Sequence, residues 1–427
     1  MEQKESIQPQ SLKREIGLAG AISYGVGVIV GAGIYALVGR VAGYSGNAIW
    51  ISFLLGAVLA SFTGLSYAEL SRLLPTAGAE YDYILEASRR KFLAFIVGWL
   101  VVLTGAISAA AVALGFSGYL KVYLGLPDAM MATILVLALS TVSFWGIKES
   151  IWLNAAFTAI EVLGLVMVIA IGIPFMGTVN YFEYPSGFQG IIAATALVFF
   201  AYLGFEGIVK IGEETKDPER TIPRAIMASI IITTALYALV GIAAVSVIPY
   251  QQLAASTSPI ADIALKAQGQ ELFVVLSGIS LIATTNTVLV LLIATSRIIY
   301  GVAKSVSITF LSKVHPKKGT PFGAIMVTAA LTIPFTFLGD IELVANVTNF
   351  LTFVVFLAVN LTVLVLVQRG ACCRGPLRHF SVRRLPLIAI LGVASSLLML
   401  FQYSLEVVAI SFLMVGLGAI IFRVILK

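Results

Sequence analysis

The sequence predicts an all-α protein that crosses a membrane many times. Of its 427 residues, 59% are hydrophobic and 11% are charged, and the mean hydropathy is +1.01. A soluble domain of this length could not bury so much apolar surface and would expose large patches that aggregate. A lipid bilayer accepts such a surface. Long apolar runs and a one-sided distribution of Lys and Arg support the same fold class.

Twelve apolar runs approach or exceed the length of about 20 residues that a membrane-spanning helix needs. They lie at 17–41, 47–71, 92–123, 128–147, 151–178, 189–211, 222–248, 271–303, 321–339, 341–367, 385–403 and 405–425. We therefore predict twelve transmembrane helices after a polar tail at 1–16. We expect no cleavable signal peptide, because the first run is far longer than a signal core.

The basic residues predict an orientation. If the N-terminus is cytoplasmic, all but three of the 27 Lys and Arg residues fall in cytoplasmic segments, and only Arg40, Lys121 and Lys266 lie outside. Cytoplasmic loops carry such an excess. We expect a multi-pass protein of the cytoplasmic membrane with both termini cytoplasmic. The net charge of +6 then reflects topology, and no nucleic-acid partner is expected.

The first run is rich in glycine near its middle. Gly25, Gly27, Gly31 and Gly33 fall within nine positions, and each costs a helix interior about 1 kcal/mol relative to alanine. Close packing between helices would also use small residues, but on one face, and these four spread beyond a single stripe. We predict local unwinding near Gly31–Gly33.

The sixth run carries a similar interruption, with Gly204 and Gly207 on either side of Glu206. Unwound backbone is tolerated at membrane depth only where it lines a cavity or is buried in protein. A half-helix that begins in mid-membrane presents free N–H groups to an anion. Free carbonyls on the other side of the break accept from an ammonium group, so a zwitterion such as an α-amino acid fits both ends.

The positions of the two interrupted runs predict the domain organisation. They are the first and the sixth, so each unit contains five helices, and an odd number inverts one unit relative to the other. We predict inverted repeats at 17–178 and 189–367, a central binding site where their interrupted helices meet, and two further helices at 385–427.

Four segments together resemble the amino acid–polyamine–organocation superfamily of permeases, and most nearly the prokaryotic permeases related to the cationic amino acid transporters. The segments are 25–39, 66–81, 204–224 and 296–316, spread over about three-quarters of the chain. The resemblance implies a core of ten helices in two inverted repeats of five, with broken helices 1 and 6, and two peripheral C-terminal helices.

The resemblance also implies substrate contacts. The amides of Gly31, Ala32 and Gly33 would bind the carboxylate of an amino acid. The acceptors for the α-amino group would be the carbonyls of Ile29, Phe200, Ala201 and Leu203. Phe200 takes the place of the family's gating aromatic residue, and the alternative is a Phe in the core or facing lipid.

Two carboxylates are candidates for proton coupling. Glu206 matches a family carboxylate in helix 6, although it could equally be a structural group that locks this helix. Glu161 lies where several family members have a lysine in helix 5. Carboxylates within the membrane are costly and are usually functional. Glu161 could carry a proton, coordinate sodium with nearby carbonyls and Thr284, or extend toward the cytoplasm.

The resemblance implies a secondary active transporter of amino acids that works by alternating access, with proton symport expected. An exchanger, a sodium symporter and an inorganic-cation permease remain alternatives. The runs contain no His pair, Cys–His pair or phosphate loop, so we expect no enzyme, cofactor or metal site. The adjacent Cys372 and Cys373 are interpreted as loop residues.

The side chain of the substrate is predicted to be neutral and small to medium in size. Only Glu206 adds a carboxylate to the two breaks, and an unpaired Lys or Arg side chain would be costly at membrane depth. Polar candidates for the rest of the pocket are Thr284, Thr285, Asn286, Asn346 and Asn349.

Overall fold

The computed structural model describes residues 14–425 except 75–78, 146–150, 306–307, 317, 371–380 and 383–384. Most of the predicted N-terminal tail and the predicted loop residues Cys372 and Cys373 lie outside the described residues. The described chain is helical apart from one antiparallel pair of two-residue strands, β1 (Ser381–Val382) and β2 (Leu385–Pro386). The all-α class is therefore confirmed.

Each predicted apolar run overlaps at least one helix. The α-helices are α1 (Leu18–Ile29), α2 (Ala32–Ser45), α3 (Ile49–Leu73), α4 (Ala79–Ser88), α5 (Lys91–Leu124), α6 (Asp128–Trp145), α7 (Ile151–Gly172), α8 (Gly187–Val198), α9 (Pro218–Val247), α10 (Tyr250–Ala255), α11 (Pro259–Gln268), α12 (Gln270–Ser305), α13 (Thr309–Ser312), α14 (Phe322–Thr336), α15 (Ile341–Gln368), α16 (Leu387–Leu400) and α17 (Leu405–Ile425). Short 3₁₀ helices lie at Gly46–Ala48, Ile173–Phe175, Phe199–Tyr202 and Phe205–Glu214.

The described helices fit a multi-pass membrane protein. Nine helical segments in the described part of the chain are long and apolar enough to cross a bilayer, and α1, α14 and α16 are shorter apolar helices. The figure of twelve crossings and the inverted repeats remain predictions. The short helices α4, α10 and α11 lie between the predicted runs. They were not predicted, because they are too short to span a membrane.

The first predicted span is two helices. α1 ends at Ile29, Val30 leaves the helical region with ψ of 80°, and Gly31 is extended with φ of −117°. α2 then begins at Ala32. The interruption lies at Val30 and Gly31, at the beginning of the predicted stretch, so Ala32 and Gly33 form the first turn of the second half-helix. Its first N–H groups lack helical acceptors.

The sixth predicted span is also interrupted. α8 ends at Val198 and continues as the 3₁₀ helix Phe199–Tyr202. Leu203 is extended, with ψ of 137°, and Gly204 has φ of +120° before the second 3₁₀ helix begins. A positive φ of this size favours glycine, so the glycine next to the break is a conformational requirement.

The two interruptions pack against each other through glycines. A Cβ atom at Gly33 would lie 2.7 Å from Cα of Ala201, and one at Gly204 would lie 2.6 Å from the carbonyl oxygen of Val28. Neither position therefore has room for a side chain. The glycines bring the backbones of the first and sixth spans into contact, which places the backbone groups of both interruptions in one region.

A second link joins the far ends of these spans. The amide of Ile16, just before α1, donates to the carbonyl of Glu214 at 3.0 Å, and the amide of Lys216 donates to the carbonyl of Ile16 at 2.8 Å. Ile16 and Thr215 thus form a parallel β-bridge. α1 and the second half of the sixth span are tied together at this end.

Replacing Gly204 with alanine should destabilise the fold. The backbone conformation alone costs about 1–3 kcal/mol, and the added methyl group would overlap the Val28 carbonyl. Gly207→Ala is the matched control, because its nearest atom would be Cγ1 of Val28 at 3.6 Å. Thermal unfolding of the purified protein in detergent should show a lower melting temperature for Gly204→Ala only. Equal melting temperatures for the two variants would contradict this assignment.

Candidate functional site

A single hydroxyl group joins the two interruptions. Tyr237, on α9, is buried, and its hydroxyl lies 2.9 Å from the carbonyl oxygen of Ile29 and 3.1 Å from that of Ala201. These two carbonyls belong to different broken spans. Two of the four carbonyls predicted to accept the α-amino group therefore converge on one donor.

The N–H groups of the first interruption also have partners. The amide of Gly31 donates to the carbonyl of Ile29 at 2.8 Å. The amide of Ala32 donates to Oγ1 of Thr287 on α12 at 3.1 Å. The Thr287 hydroxyl itself donates to the carbonyl of Ala283 at 2.9 Å. The predicted carboxylate site is thus bounded by α2 and by one threonine of α12.

The site is closed in this structure. Ile29, Ala32, Phe200 and Ala201 are at most 6% exposed. Phe200 therefore belongs to the core and does not face lipid, which removes one alternative for this residue. Gly31 and Leu203 are partly exposed. A small molecule could reach the backbone groups of the four buried residues only after a movement of the surrounding helices.

Glu161 is a buried carboxylate with a defined partner. It is 1% exposed, and Nδ2 of Asn286 on α12 donates to its Oε1 at 3.1 Å. The alternative that its side chain extends toward the cytoplasm is wrong, because burial and this hydrogen bond hold the carboxylate among the helices. An intramembrane carboxylate that pairs with a neutral amide is a functional candidate.

The helix that carries Glu161 contacts the first span on both sides of its interruption. A Cβ at Gly27 would lie 2.7 Å from Oγ1 of Thr158, which places α7 against α1. Beyond the interruption, the hydroxyl of Tyr35 donates to the backbone carbonyl of Glu161. The helix that carries Glu161 is thereby in direct contact with both halves of the first span.

Glu206 makes a local structural contact. Its Oε2 accepts a hydrogen bond from the amide of Gly204 at 2.9 Å, across the turn that follows the interruption. A carboxylate that caps free N–H groups stabilises the start of a helix. This contact supports the structural interpretation of Glu206, while its role in proton coupling stays a prediction.

The polar pocket candidates separate into different places. The Thr284 hydroxyl donates to the carbonyl of Ser280 at 2.7 Å, within its own helix, and Asn286 contacts Glu161. Asn349 donates to carbonyls of α8. Asn346 lines a cavity of about 290 Å³ together with Glu342, away from the two interruptions. These five residues therefore do not form one lining, and the assignment of Thr285 stays a prediction.

Two residues at the site were missed from the sequence. Tyr237 and Thr287 supply the hydroxyl groups that contact the interrupted backbones. The signal for Tyr237 was one tyrosine inside the apolar stretch of α9. Thr287 follows Thr284, Thr285 and Asn286 directly, so a helical count along α12 could have included it. The described residues contain no cluster of three or more His, Cys, Asp or Glu side chains that could hold a metal ion.

Comparisons with known proteins identify the family of this chain. Residues 16–422 match the family model described as amino acid permease. The chain is 31% identical over 381 residues to the branched-chain amino acid permease BcaP of Bacillus subtilis, covering 84% of this chain and 82% of that protein. It is 28% identical over 419 residues to the methylthioribose transporter of the same organism, covering 93% and 89%.

A plant relative is similar over a smaller share of its length. The vacuolar cationic amino acid transporter 4 of Arabidopsis thaliana is 30% identical over 386 residues, covering 84% of this chain and 64% of that protein. These relatives are named as permeases and transporters, and the chain is accordingly a transport protein rather than an enzyme. Because the family model extends over nearly the whole chain, the protein belongs to the amino acid permease family.

Proposed function

We propose that this permease is a secondary active transporter that moves amino acids across the cytoplasmic membrane by alternating access, with both termini cytoplasmic. The observation that carries the proposal is the contact between two interrupted helices, with N–H groups that lack helical acceptors on one side and converging carbonyls on the other. A zwitterion is the ligand that satisfies both sets.

Each end of the substrate has a proposed partner. The carboxylate binds the amides of Gly31, Ala32 and Gly33, where α2 begins. The α-amino group binds the carbonyls of Ile29, Phe200, Ala201 and Leu203. In this structure the hydroxyls of Thr287 and Tyr237 contact members of these two sets. Buried backbone groups need partners, and the two hydroxyls provide them for these groups.

Alternating access requires that the closed site opens to each side in turn. Phe200 is the proposed gate, since it lies in the short helix just before the break in the sixth span and its side chain is buried. The inverted repeats 17–178 and 189–367, followed by the helices in 385–427, supply the two alternating arrangements. The β-bridge at Ile16 ties α1 to the end of the sixth span, so these two half-helices move together.

The proposed substrate is a small to medium neutral amino acid. The central parts of α5, α12 and α15 contain no carboxylate, so these three helices offer no counter-charge to a cationic side chain. Burying an unpaired charge at membrane depth is costly. The name of the bacterial relative BcaP points to branched-chain amino acids, which are neutral and fall in this size range.

Uptake into proteoliposomes tests the substrate class. With labelled leucine as the probe, unlabelled isoleucine, valine or alanine in hundredfold excess should lower uptake by more than half. Arginine and lysine should compete at least about tenfold less well, because their side-chain charges remain unpaired. Stronger competition by arginine or lysine than by any neutral amino acid would contradict the neutral pocket. Absence of uptake for every amino acid would contradict the transport function itself.

Glu161 is the proposed coupling residue, with Glu206 as the second candidate. A protonated carboxyl group can donate to the backbone carbonyls near the break in the first span, whereas an ionised one is repelled by them. α7 contacts both halves of this span, so protonation and substrate binding can favour the same state. A ligand and a proton that favour one state are coupled thermodynamically.

Glu161→Gln should separate binding from coupling. Glutamine mimics the protonated acid and keeps an oxygen that can accept from Asn286, so exchange of labelled for unlabelled leucine should continue. Accumulation driven by a pH gradient should fall to the level of empty liposomes. The measurement is leucine uptake with and without an imposed pH gradient.

Two further variants control this experiment. Glu219→Gln, at an exposed position in the first turn of α9, should accumulate leucine normally. Glu206→Gln tests the second candidate. If Glu161→Gln still accumulates leucine under a proton gradient alone, Glu161 is not the coupling residue. If Glu206→Gln loses this accumulation instead, Glu206 is the coupling residue. A requirement of wild-type uptake for sodium would replace proton coupling with sodium coupling.

A further inference from the structure

The last turn of α8 contains carbonyl groups that accept hydrogen bonds from outside the helix. An α-helix leaves its final four carbonyls without helical donors, and α8 ends at Val198, where the chain tightens into the 3₁₀ helix Phe199–Tyr202. The amide of Phe199 reaches the carbonyls of Thr195 and Leu197. The carbonyl of Ala196 lies in the same turn, within a buried part of the protein.

Two side chains from other elements donate to this turn. Nδ2 of Asn349, on α15, lies 2.8 Å from the carbonyl oxygen of Ala196 and 3.2 Å from that of Leu197. The hydroxyl of Tyr403, in the turn between α16 and α17, donates to the carbonyl of Ala196 at 3.2 Å. The end of α8 is thus capped by α15 and by the segment that joins the last two helices.

The orientation of Asn349 follows from its neighbours. Both carbonyls can only accept, so the amide nitrogen must face them. The side chain is fully buried, and its Oδ1 has no hydrogen-bond partner within the described part of the chain. A buried oxygen without a partner is costly, and an apolar side chain would avoid that cost. The donation to α8 is what the asparagine adds over simple packing.

Aromatic packing connects Tyr403 to the gate region. Its ring lies 5.8 Å from that of Phe350 and 6.5 Å from that of Phe353, measured between centroids. The ring of Phe353 in turn lies 4.6 Å from that of Phe199. Phe199 precedes Phe200 directly, so one packed series of rings joins the α16–α17 turn to the break.

We propose that Asn349 and Tyr403 are positioning residues, which hold the end of α8 so that the carbonyls of the break point toward the substrate. This inference rests on the proposed role of the carbonyls of Phe200, Ala201 and Leu203 in substrate binding. It assigns to α15 and to the α16–α17 turn an influence on affinity, although neither residue belongs to the two interrupted helices.

Truncating either donor should weaken leucine binding without unfolding the protein. Loss of one hydrogen bond corresponds to about a fivefold change in an equilibrium constant. Asn349→Ala and Tyr403→Phe should therefore each raise the dissociation constant for leucine about fivefold. The maximal rate of leucine exchange should change less than the affinity for leucine, since both variants keep the backbone groups that are proposed to bind the substrate.

Matched controls come from the same chain. Asn360, also on α15 and fully buried, donates to Thr63 on α3 and to its own helix. Tyr181 is a partly buried tyrosine whose hydroxyl contacts Ser246 instead. Asn360→Ala and Tyr181→Phe remove equivalent groups without touching α8, so both should bind leucine with an affinity close to the wild type.

A double variant tests whether the two donors act through the same carbonyl. Residues that share a partner show non-additive effects, whereas distant ones add. The effects of Asn349→Ala and Tyr403→Phe on leucine affinity should be non-additive, while Asn360→Ala should add independently to either. Additive effects of the first pair, or equal losses in the controls, would overturn the positioning role.

Hydrogen–deuterium exchange provides a readout that needs no substrate. Amides at 199–203 should exchange about fivefold faster in Asn349→Ala and in Tyr403→Phe, because local opening becomes easier. Amides around Gly31 should keep their wild-type rates. Unchanged exchange at 199–203 would overturn the inference. Faster exchange together with failure to bind any amino acid would instead contradict the proposed function and leave the capping role standing.

Discussion

The contact between two interrupted helices, with the hydroxyl of Tyr237 shared between them, is the constraint on which the rest of this structure depends. Helix breaks inside a membrane expose backbone groups that lipid cannot satisfy. The glycines at 33 and 204 let the two backbones touch, and Tyr237 bonds to one carbonyl from each. The surrounding helices are needed to complete this arrangement, because the partners of the broken segments come from α9, α12 and α15.

The same constraint explains why two hydroxyl groups lie against the broken backbones. Every polar group exposed by a break must find a partner in each state. Thr287 and Tyr237 supply neutral hydroxyls, which satisfy the backbone without fixing a charge in the membrane. A zwitterionic substrate would offer stronger, charge-assisted hydrogen bonds to the same groups. Hydrogen bonds to the charged groups of an amino acid are stronger than those to the two hydroxyls, and this difference in strength is the proposed source of substrate binding.

Much of the fold could be predicted from the sequence because its signals are local. Apolar runs mark the helices, and glycine clusters mark the interruptions at Val30–Gly31 and Leu203–Gly204. The departures have local causes too: α1 ends before the glycine pair because Gly31 is extended, while Ala32 and Gly33 are already helical. Short helices such as α4 escaped detection because they are too short to form a span.

The site could be predicted only in part, since its remaining members are set by tertiary contacts. Glycine and carboxylate positions identified Gly31–Gly33, Glu161 and Glu206. The sequence could not show that Asn286 would pair with Glu161, that Tyr237 would bridge the breaks, or that Asn349 would cap α8 rather than line the pocket. Those contacts join residues that are distant in the sequence, and periodicity carries no information about them.

The most direct test of the central claim is the affinity of Gly31→Ala for leucine, measured by calorimetry beside Gly278→Ala. Gly31 has a backbone conformation that alanine adopts freely, so the fold should survive, while the new methyl group would lie 3.1 Å from Oγ1 of Thr287 within the proposed carboxylate site. At Gly278 a Cβ would meet no atom within 4 Å. Our account predicts that Gly31→Ala binds leucine at least about tenfold more weakly, a loss of about 1.4 kcal/mol, and that Gly278→Ala binds normally. Wild-type affinity in a folded Gly31→Ala protein would contradict binding at the paired breaks.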